Sequence, residues 1–291
     1  MRIVITDGGS SDHTVEIAQK LAAEHPAVTY LHNPKRIQAA AINLAVATYG
    51  NEAEFLIRLD AHADYPDNYC QALLEEAKTT QADSVAVTMD TQGKTPFQKA
   101  VAAAQNSKLG NGGSAHRSGI SEGKWVDHGH HALMRIDVFN RVGGYDESFS
   151  HNEDAELDTR FIKAGYKIWL TAKTNLVYYP RSSPMALFKQ YRQYGKGRVR
   201  NILKHHTKPK LRQMAPLAVF PAVLLAFLAP LGWFMAVPFL AWAILCLAYG
   251  AWLGHKSQNA AIAFSGPAAM MMHFAWSLGF WCGLVDYARD W

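Results

Sequence analysis

The chain has 291 residues, a formal charge of +5 and 49% hydrophobic residues. That length holds one large domain or two small ones. Three scattered cysteines, Cys70, Cys246 and Cys282, exclude a disulfide framework and a cysteine-built metal site, and they fit a reducing compartment.

The first element in chain order is RIVIT, a β-branched run that reads as a strand and ends in the loop DGGSSD. We expect no signal peptide ahead of it. HTVEIAQKLAAEH carries apolar residues at helical spacing (Val15, Ile17, Ala18, Leu21, Ala22), with Asp12 placed to cap it. VTYLH reads as a strand, IQAAAINLAVATY as a helix, EFLIRLD as a strand, NYCQALLEEAKTT as a helix and DSVAVTM as a strand. This alternation predicts βαβ units in a mostly parallel sheet covered on both faces. The segment QNSKLGNGGSAHRSGISEG, rich in Gly and Ser, predicts a mobile loop. A strand over KWVDHGHHALMR, a helix starting near Asn152 and a strand near VYYP complete the soluble part.

Beyond it the composition changes. The stretch 215–253 has no charged residue, and a second apolar run covers 260–285. Runs of about 18 or more apolar residues read as membrane spans. Pro230, Gly232 and Pro238 break the first stretch near its middle, so we expect three spans, roughly 214–232, 235–253 and 261–285, with Trp291 on the far side; the alternative is that the 215–254 stretch re-enters without crossing. Lys189, Arg192, Lys196, Arg198, Arg200, Lys204, Lys208, Lys210 and Arg212 precede the first span. Such a cluster suits a cytoplasmic segment facing anionic lipid. Nucleic acid is the rival partner of a basic stretch, but no base-reading motif supports it.

The string RLDAHADYP places Asp60 and His62 at the C-terminal end of a short buried strand, where open α/β sheets put their ligands. A carboxylate at one position and a second ligand two residues on can share a divalent cation that keeps positions open for phosphates. The plainer reading is a strand end followed by a solvated acidic turn. The closely spaced His128, His130 and His131 suit strand alternation better than a tetrahedral zinc site; His130 or His131 could line a pocket or add a metal ligand.

Four strings, in order, resemble the family-2 glycosyltransferases of the inverting, nucleotide-sugar-dependent GT-A type, and within them the membrane-anchored, succinoglycan-type exopolysaccharide transferases. They are DGGSSDHT, RLDAHADYP, VGGYDESFSHNEDAELDTRFIKAGYKI and PRSSPMALFKQYRQYGKGR. The resemblance covers about residues 2–205 and extends to a C-terminal membrane region. It implies an α/β fold of the GT-A type, with a mixed, mostly parallel sheet followed by transmembrane helices. The implied domains are a transferase domain over 1–205, a basic juxtamembrane linker over 206–214 and a membrane region over 215–286. It implies a metal-dependent, inverting hexosyltransferase-like enzyme of a bacterial-type inner membrane, multi-pass, with its catalytic domain cytoplasmic. The implied cofactor is Mn²⁺ or Mg²⁺, held by Asp60 and His62. The implied partners are a nucleotide-diphosphate sugar and a saccharide acceptor, lipid-linked by default, and no nucleic acid.

A general base here should be a carboxylate in a partly desolvated pocket with its pKa raised towards working pH, and the resemblance places it on Asp154, with Glu153 beside it. The sequence alone does not separate Asp154 from Glu156 or Asp158, and acidic residues at a helix start also serve as caps. For the donor, the resemblance implies Asp7 on the nucleotide base, although Gly8 stands where the family has a second acidic residue. Arg36 could reach base or phosphate. Gln190, Arg192, Gln193 and Arg198 occupy the segment that closes over the donor, where the family's Q-x-x-R-W is replaced by Q-Y-R-Q-Y-G-K-G-R; a membrane-surface helix is the competing reading. Transferases of this kind begin with a strand, loop and helix ahead of the position of RIVIT, so we expect such a segment upstream and an exposed sheet edge without it. The alternative function is a catalytically inactive, membrane-anchored paralogue that binds nucleotide sugars or acts as a scaffold.

Overall fold

The computed structural model describes residues 1–113, 117, 119–209 and 211–289. Residues 114–116 and 118 of the expected Gly/Ser-rich loop, residue 210 of the basic cluster, and residues 290–291 with the expected far-side terminus lie outside the described residues.

The first alternation forms as read. Strand β1 (Ile3–Asp7), helix α1 (Thr14–Glu24) and β2 (Val28–His32) make a parallel pair in register from Ile3↔Val28 to Asp7↔His32. The Asp12 carboxylate accepts from the Thr14 N–H at 3.0 Å, at the start of α1. Helix α2 (Gln38–Tyr49) leads to β3 (Phe55–Ile57), β4 (Ala63–Asp64), α3 (Tyr69–Thr80) and β5 (Ser84–Thr91). A capping box starts α4 (Pro96–Asn106): Thr95 accepts from the Gln98 N–H while the Gln98 side chain accepts from the Thr95 N–H, and Pro96 needs no partner at the first turn. The one-turn α5 (Lys108–Asn111) lies inside the segment expected to be loop.

The segment KWVDHGHHALMR forms two strands, not one: β6 (Lys124–Val126) and β7 (His130–Arg135). They part at Gly129, where a Cβ would stand 2.5 Å from the Cβ of Ala86. Helices α6 (Ile136–Arg141) and α7 (Glu153–Lys163) precede the long β8 (Ile168–Tyr178). The second sheet runs β3-β7-β5-β8-β4, with β6 also on β8.

This sheet is mixed, and the expectation of mostly parallel pairing is corrected. Only β5–β8 is parallel, while β3–β7, β5–β7, β4–β8 and β6–β8 are antiparallel. Residue periodicity marks a segment as strand but carries no direction. Once the βαβ units end at β5, direction is set by the edge each later strand finds. The core lies on both faces of the central strands, where Val85, Ala86, Val87, Leu133 and Leu170 are fully buried. Burying a side chain of Val or Leu size contributes about 1.5–3 kcal/mol, and this concentration fixes the strand ends that carry the site.

The 22-residue α8 (Pro184–His205) follows. The apolar region then forms α9 (Leu211–Leu217), α10 (Val219–Ala226), two 3₁₀ turns over 229–236, α11 (Val237–Lys256), the short α12 (Ala260–Ala263) and α13 (Ser265–Arg289). Three spans were expected. Among the described residues two helical stretches, Trp233–Lys256 and Ala260–Arg289, are long and apolar enough to cross a membrane. The expected span over 214–232 is instead a shorter apolar stretch, Gln213–Ala226, with Pro216 inside it and Pro230 opening a 3₁₀ turn after it.

Candidate active site

The C-terminal end of β3, the N-terminal end of β7 and the start of α7 converge, and a guanidinium joins them. Arg58 is almost fully buried, with its side chain 6% exposed. Its Nε and Nη2 donate to the two Asp60 oxygens at 3.0 and 3.2 Å, and its Nη1 donates to Asp154 Oδ1 at 2.8 Å. Such a charged fork gives bidentate geometry as well as energy. Tyr145 Oη also donates to Asp154 Oδ1, at 2.8 Å. Gln38 Nε2, at the first position of α2, donates to Asp60 Oδ1 at 2.8 Å, and the Asp60 N–H donates to Tyr65 Oη at 2.6 Å. The His130 ring stands between the carboxylates, 3.8 Å from Asp60 Oδ2 and 3.9 Å from Asp154 Oδ2.

These contacts divide the two neighbouring acids at the start of α7. Burial opposes the charge of Asp154, but Arg58, the nearby His131 and His130, and the Tyr145 hydroxyl outweigh it and hold the carboxyl well below its usual range. Glu153 has burial and the adjacent Asp154 charge against ionisation, and its pKa is pushed up to about 7. Burial, with the Arg58 charge second, keeps His130 neutral with a pKa of about 4. The backbone that presents this turn is itself held. Asn152 adopts a left-handed conformation (φ 62°) and its side chain donates to the Tyr194 carbonyl of α8 at 2.6 Å. Gly197 of α8 lets the turn approach, since a Cβ there would sit 2.5 Å from the His151 carbonyl oxygen.

The other acids of α7 are committed elsewhere. Glu156 is fully buried and pairs with Arg160 at 2.6 Å, Lys204 at 2.6 Å and His205 at 2.9 Å. Asp158 pairs with His131, whose Nε2 stands 2.7 Å from it, and is bonded to His128 Nδ1 at 2.5 Å, while His131 Nδ1 meets Ser84 Oγ at 2.8 Å. Neither acid lines the main cavity, whereas Asp60, His62, Glu153 and Asp154 do.

That cavity has a volume of about 1070 Å³. Sites for one small ligand run to about 300–1,000 Å³, so this one has room for two. Its polar part is lined by the carboxylates and by Lys108, Arg117, Arg181, Lys189 and Arg198. Gln190 and Gln193 also line it, and Gln190 Nε2 donates to the Tyr178 and Tyr194 hydroxyls at 3.1 and 3.0 Å. Arg192 does not line the cavity; its backbone faces α13. Asp7 and Arg36 are also outside the lining. The Asp7 carboxylate accepts from the N–H groups of Gly9 and Ser10 and from the Ser10 hydroxyl, which holds its pKa down and pins the loop after β1. Arg36 packs its guanidinium on Gly9, whose φ is +87°. The two loops thus meet each other, and Gln38, two residues beyond Arg36, ties them to Asp60.

Asp60 and His62 are the candidate metal ligands. Among the described residues no group of three or more His, Cys, Asp or Glu side chains is disposed to hold a metal ion. His62 is exposed, lies at the cavity wall and stacks edge-on to Tyr178 at 6.1 Å. Both Asp60 oxygens already accept from Arg58, and one also from Gln38, so these two residues make no closed structural site; a cation here would need phosphate oxygens and water to complete its shell.

Arg58, Gln38, His130 and Tyr145 were not singled out in the sequence as site residues, beyond His130 as a pocket candidate. Arg58 did leave a signal: it is the one charge in the strand-like run FLIRL, and a charge entering a buried strand end needs a partner.

The remaining cavity wall comes from the C-terminal region: Val219, Trp242, Leu245, Cys246, Met272 and Trp276. The polar site and this apolar wall belong to one cavity.

Comparison with known proteins follows the same outline. Residues 1–143 match the family model described as glycosyl transferase family 2. The chain is 58% identical over 288 residues to the succinoglycan biosynthesis protein ExoA of Rhizobium meliloti (strain 1021), covering 99% of this chain and 87% of that protein. Among solved structures, GalNAc-T7 with UDP, GalNAc and Mn²⁺ aligns at 16% identity with a TM-score of 0.47, over 67% of this chain and 41% of that one. S. aureus TarS aligns at 14% identity with a TM-score of 0.44, over 94% and 48%. The chain spans less than half the length of either solved chain.

Proposed function

The chain belongs to glycosyl transferase family 2, and from that membership we propose that it transfers a sugar from a nucleotide-diphosphate donor to a lipid-linked saccharide, with inversion, in exopolysaccharide synthesis. The observation that carries the reading is the buried Asp60–Arg58–Asp154 bridge at the wall of a two-ligand cavity. The 58% identity to a succinoglycan biosynthesis protein runs through nearly the whole chain, and no observation favours the inactive alternative.

The donor diphosphate lies against Asp60, with Lys108, Arg181, Lys189 and Arg198 supplying positive charge along the polar wall. Asp60 and His62 hold a divalent cation, Mn²⁺ or Mg²⁺, which when bound neutralises the leaving diphosphate. Asp154 takes the proton of the acceptor hydroxyl as that oxygen attacks the anomeric carbon from the side opposite the diphosphate; this single displacement inverts the centre. Arg58 and Tyr145 fix the attacking face by holding Asp154 in one position. Glu153 adds a second negative charge beside Asp154 once it ionises, which increases the proton affinity of its neighbour. The domain limits follow the same reading: transferase over 1–205, linker over 206–214 and membrane region over 215–286. The apolar wall from Trp242, Leu245, Met272 and Trp276 supports a hydrocarbon-bearing acceptor delivered from a membrane surface.

Washed membranes carrying the chain, given radiolabelled nucleotide sugar and lipid extract, should pass label into the organic-soluble fraction. Retention of all label in the donor, with no free sugar and no lipid product, would overturn the proposal.

A further inference from the structure

Of the two helical stretches long enough to cross a membrane, Ala260–Arg289 is tied to the catalytic domain along its course, and Trp233–Lys256 packs on it. For α13 the tie is nearly continuous. Ala268, Ala269 and Met272 are buried against Val101 and Ala104 of α4 and Leu187 of α8. His273 Nε2 bonds to the Leu109 carbonyl at 2.8 Å. Gly195 and Gly279 bring the α8 and α13 backbones together: a Cβ on Gly195 would lie 2.1 Å from the Trp276 carbonyl oxygen, and one on Gly279 would lie 2.0 Å from that of Arg192. Gly283 meets Val199, and Lys196 pairs with Asp286 at 2.7 Å. From Ala268 to Asp286 the helix runs about 27 Å at about 1.5 Å per residue, close to the full hydrocarbon thickness of about 30 Å. Its neighbour over most of that length, α8, carries Lys189, Arg192, Lys196, Arg198 and Arg200. If α13 crossed the bilayer, α8 would be drawn into hydrocarbon with its charges.

The α10–α11 hairpin is anchored at both ends on α13 and the adjoining α12, so it shares the side on which α13 lies. At its start, the Phe220 N–H donates to Ser277 Oγ, and the Ser277 hydroxyl and Trp281 Nε1 both donate to the Leu217 carbonyl, each at 3.0 Å. At its end, Gly250 and Gly254 pack on Ala263 and Gly266, and α12 packs on α4 of the catalytic domain. Between these anchors the outward leg is α10, whose eight residues rise about 12 Å, less than half the core thickness. The tip over 227–236 has no charged residue. Phe227, Leu231 and Trp233 there are 76%, 78% and 78% exposed. Its backbone is closed by 3₁₀ turns, with Leu231, Gly232 and Met235 N–H groups donating to the carbonyls of Leu228, Ala229 and Gly232. A tip that is apolar and internally bonded is suited to hydrocarbon and not to water on the far side.

We propose that the C-terminal region enters the membrane from the catalytic side only: α13 lies along the catalytic domain at the membrane surface, and α10–α11 form a re-entrant hairpin whose 227–236 tip ends in the hydrocarbon. Its occupant is an anionic lipid surface, matched by Arg192 of α8 and Lys208 beyond it, which lie outside the main cavity lining and the ion pairs of Lys196 and Lys204. In place of three spans, this puts both termini of the region on one side. It also brings the Trp242–Trp276 cavity wall to the lipid boundary.

The test uses the full chain in cells. An alkaline phosphatase fused after Trp291 should be silent and a fluorescent cytoplasmic reporter at the same site active. In a background with Cys70 and Cys282 replaced by alanine and the fully buried Cys246 kept, Gln258→Cys should react with a membrane-impermeant maleimide only in inverted vesicles. Leu231→Cys should react from neither side until detergent is added. Retained glycosyl transfer, or retained nucleotide binding, certifies each variant as folded, and the fusions require no substitution at all. An active phosphatase, or labelling of Leu231→Cys from outside intact cells, would overturn the proposal while leaving the transferase reading untouched.

Discussion

Replacing Arg58 by methionine removes the cation that joins the two acids while keeping most of the side-chain volume. Removing one partner of a buried pair costs about 3–5 kcal/mol, because the remaining charge is left in a poorly solvated place. Here two carboxylates are stranded, with side chains only 12% and 19% exposed. Each keeps one side-chain donor, Gln38 on Asp60 and Tyr145 on Asp154, so the lower end, about 3 kcal/mol, is expected. At about 2–4 °C per kcal/mol for a chain of this size class, the unfolding temperature should fall by roughly 6–12 °C. The loss should also depend on pH. In the native protein the folded pKa of His130, about 4, lies below the usual 6.5, so its contribution to stability is present above pH 6.5 and lost as pH falls towards 4. In Arg58→Met the repelling guanidinium is gone and two carboxylates face the ring at 3.8 and 3.9 Å. His130 should then hold a proton more readily when folded than when unfolded, which stabilises the variant as pH falls. The gap between the two proteins should therefore narrow from pH 8 to pH 5. Thermal unfolding of both proteins in detergent, followed by tryptophan emission, measures it. A drop under about 2 °C, or a gap that widens on acidification, would refute the bridged arrangement.

Asp154→Asn should lower turnover by about 10²–10⁴ while calorimetry finds donor binding unchanged. Glu153 gains its charge as pH rises through about 7, so kcat/KM should rise through that range, and the rise should vanish in Glu153→Gln; a dead Glu153→Gln beside an active Asp154→Asn would exchange their roles. Chelation by EDTA should abolish transfer and Mn²⁺ should restore it, with Asp60→Ala inactive under both conditions; full activity in EDTA would dispose of the metal role. Gly279→Leu places a side chain where a Cβ is already 2.0 Å from the Arg192 carbonyl oxygen, so it should force α13 off α8 and cost more than the usual 1–3 kcal/mol or so of overpacking, seen as a lowered unfolding temperature and faster proteolysis between α8 and α13.

The local elements were legible because their causes are local. The period of RIVIT and VTYLH and the spacing of Val15, Ala18 and Leu21 each express a preference that neighbours in sequence satisfy. The strings around Asp60 and Asp154 stood out only through their resemblance to a family, since a solvated turn and a helix cap use the same residue types at the same places. Strand direction was not legible: β7 and β8 sit where sheet edges and buried faces are available, and nothing in HALMR or NLVYY states which way it will run. The division of labour among the acids of α7 was likewise decided in three dimensions. Asp154, Glu156 and Asp158 are alike in sequence, and only the arrival of Arg58, of Arg160 with Lys204, and of His131 with His128 gives each its partner. The apolar composition of residues 215–285 was set by sequence, but its relation to a membrane depends on what else each helix touches. Hydropathy reports what a helix can tolerate around it; the glycine contacts between α8 and α13 determine what is actually there.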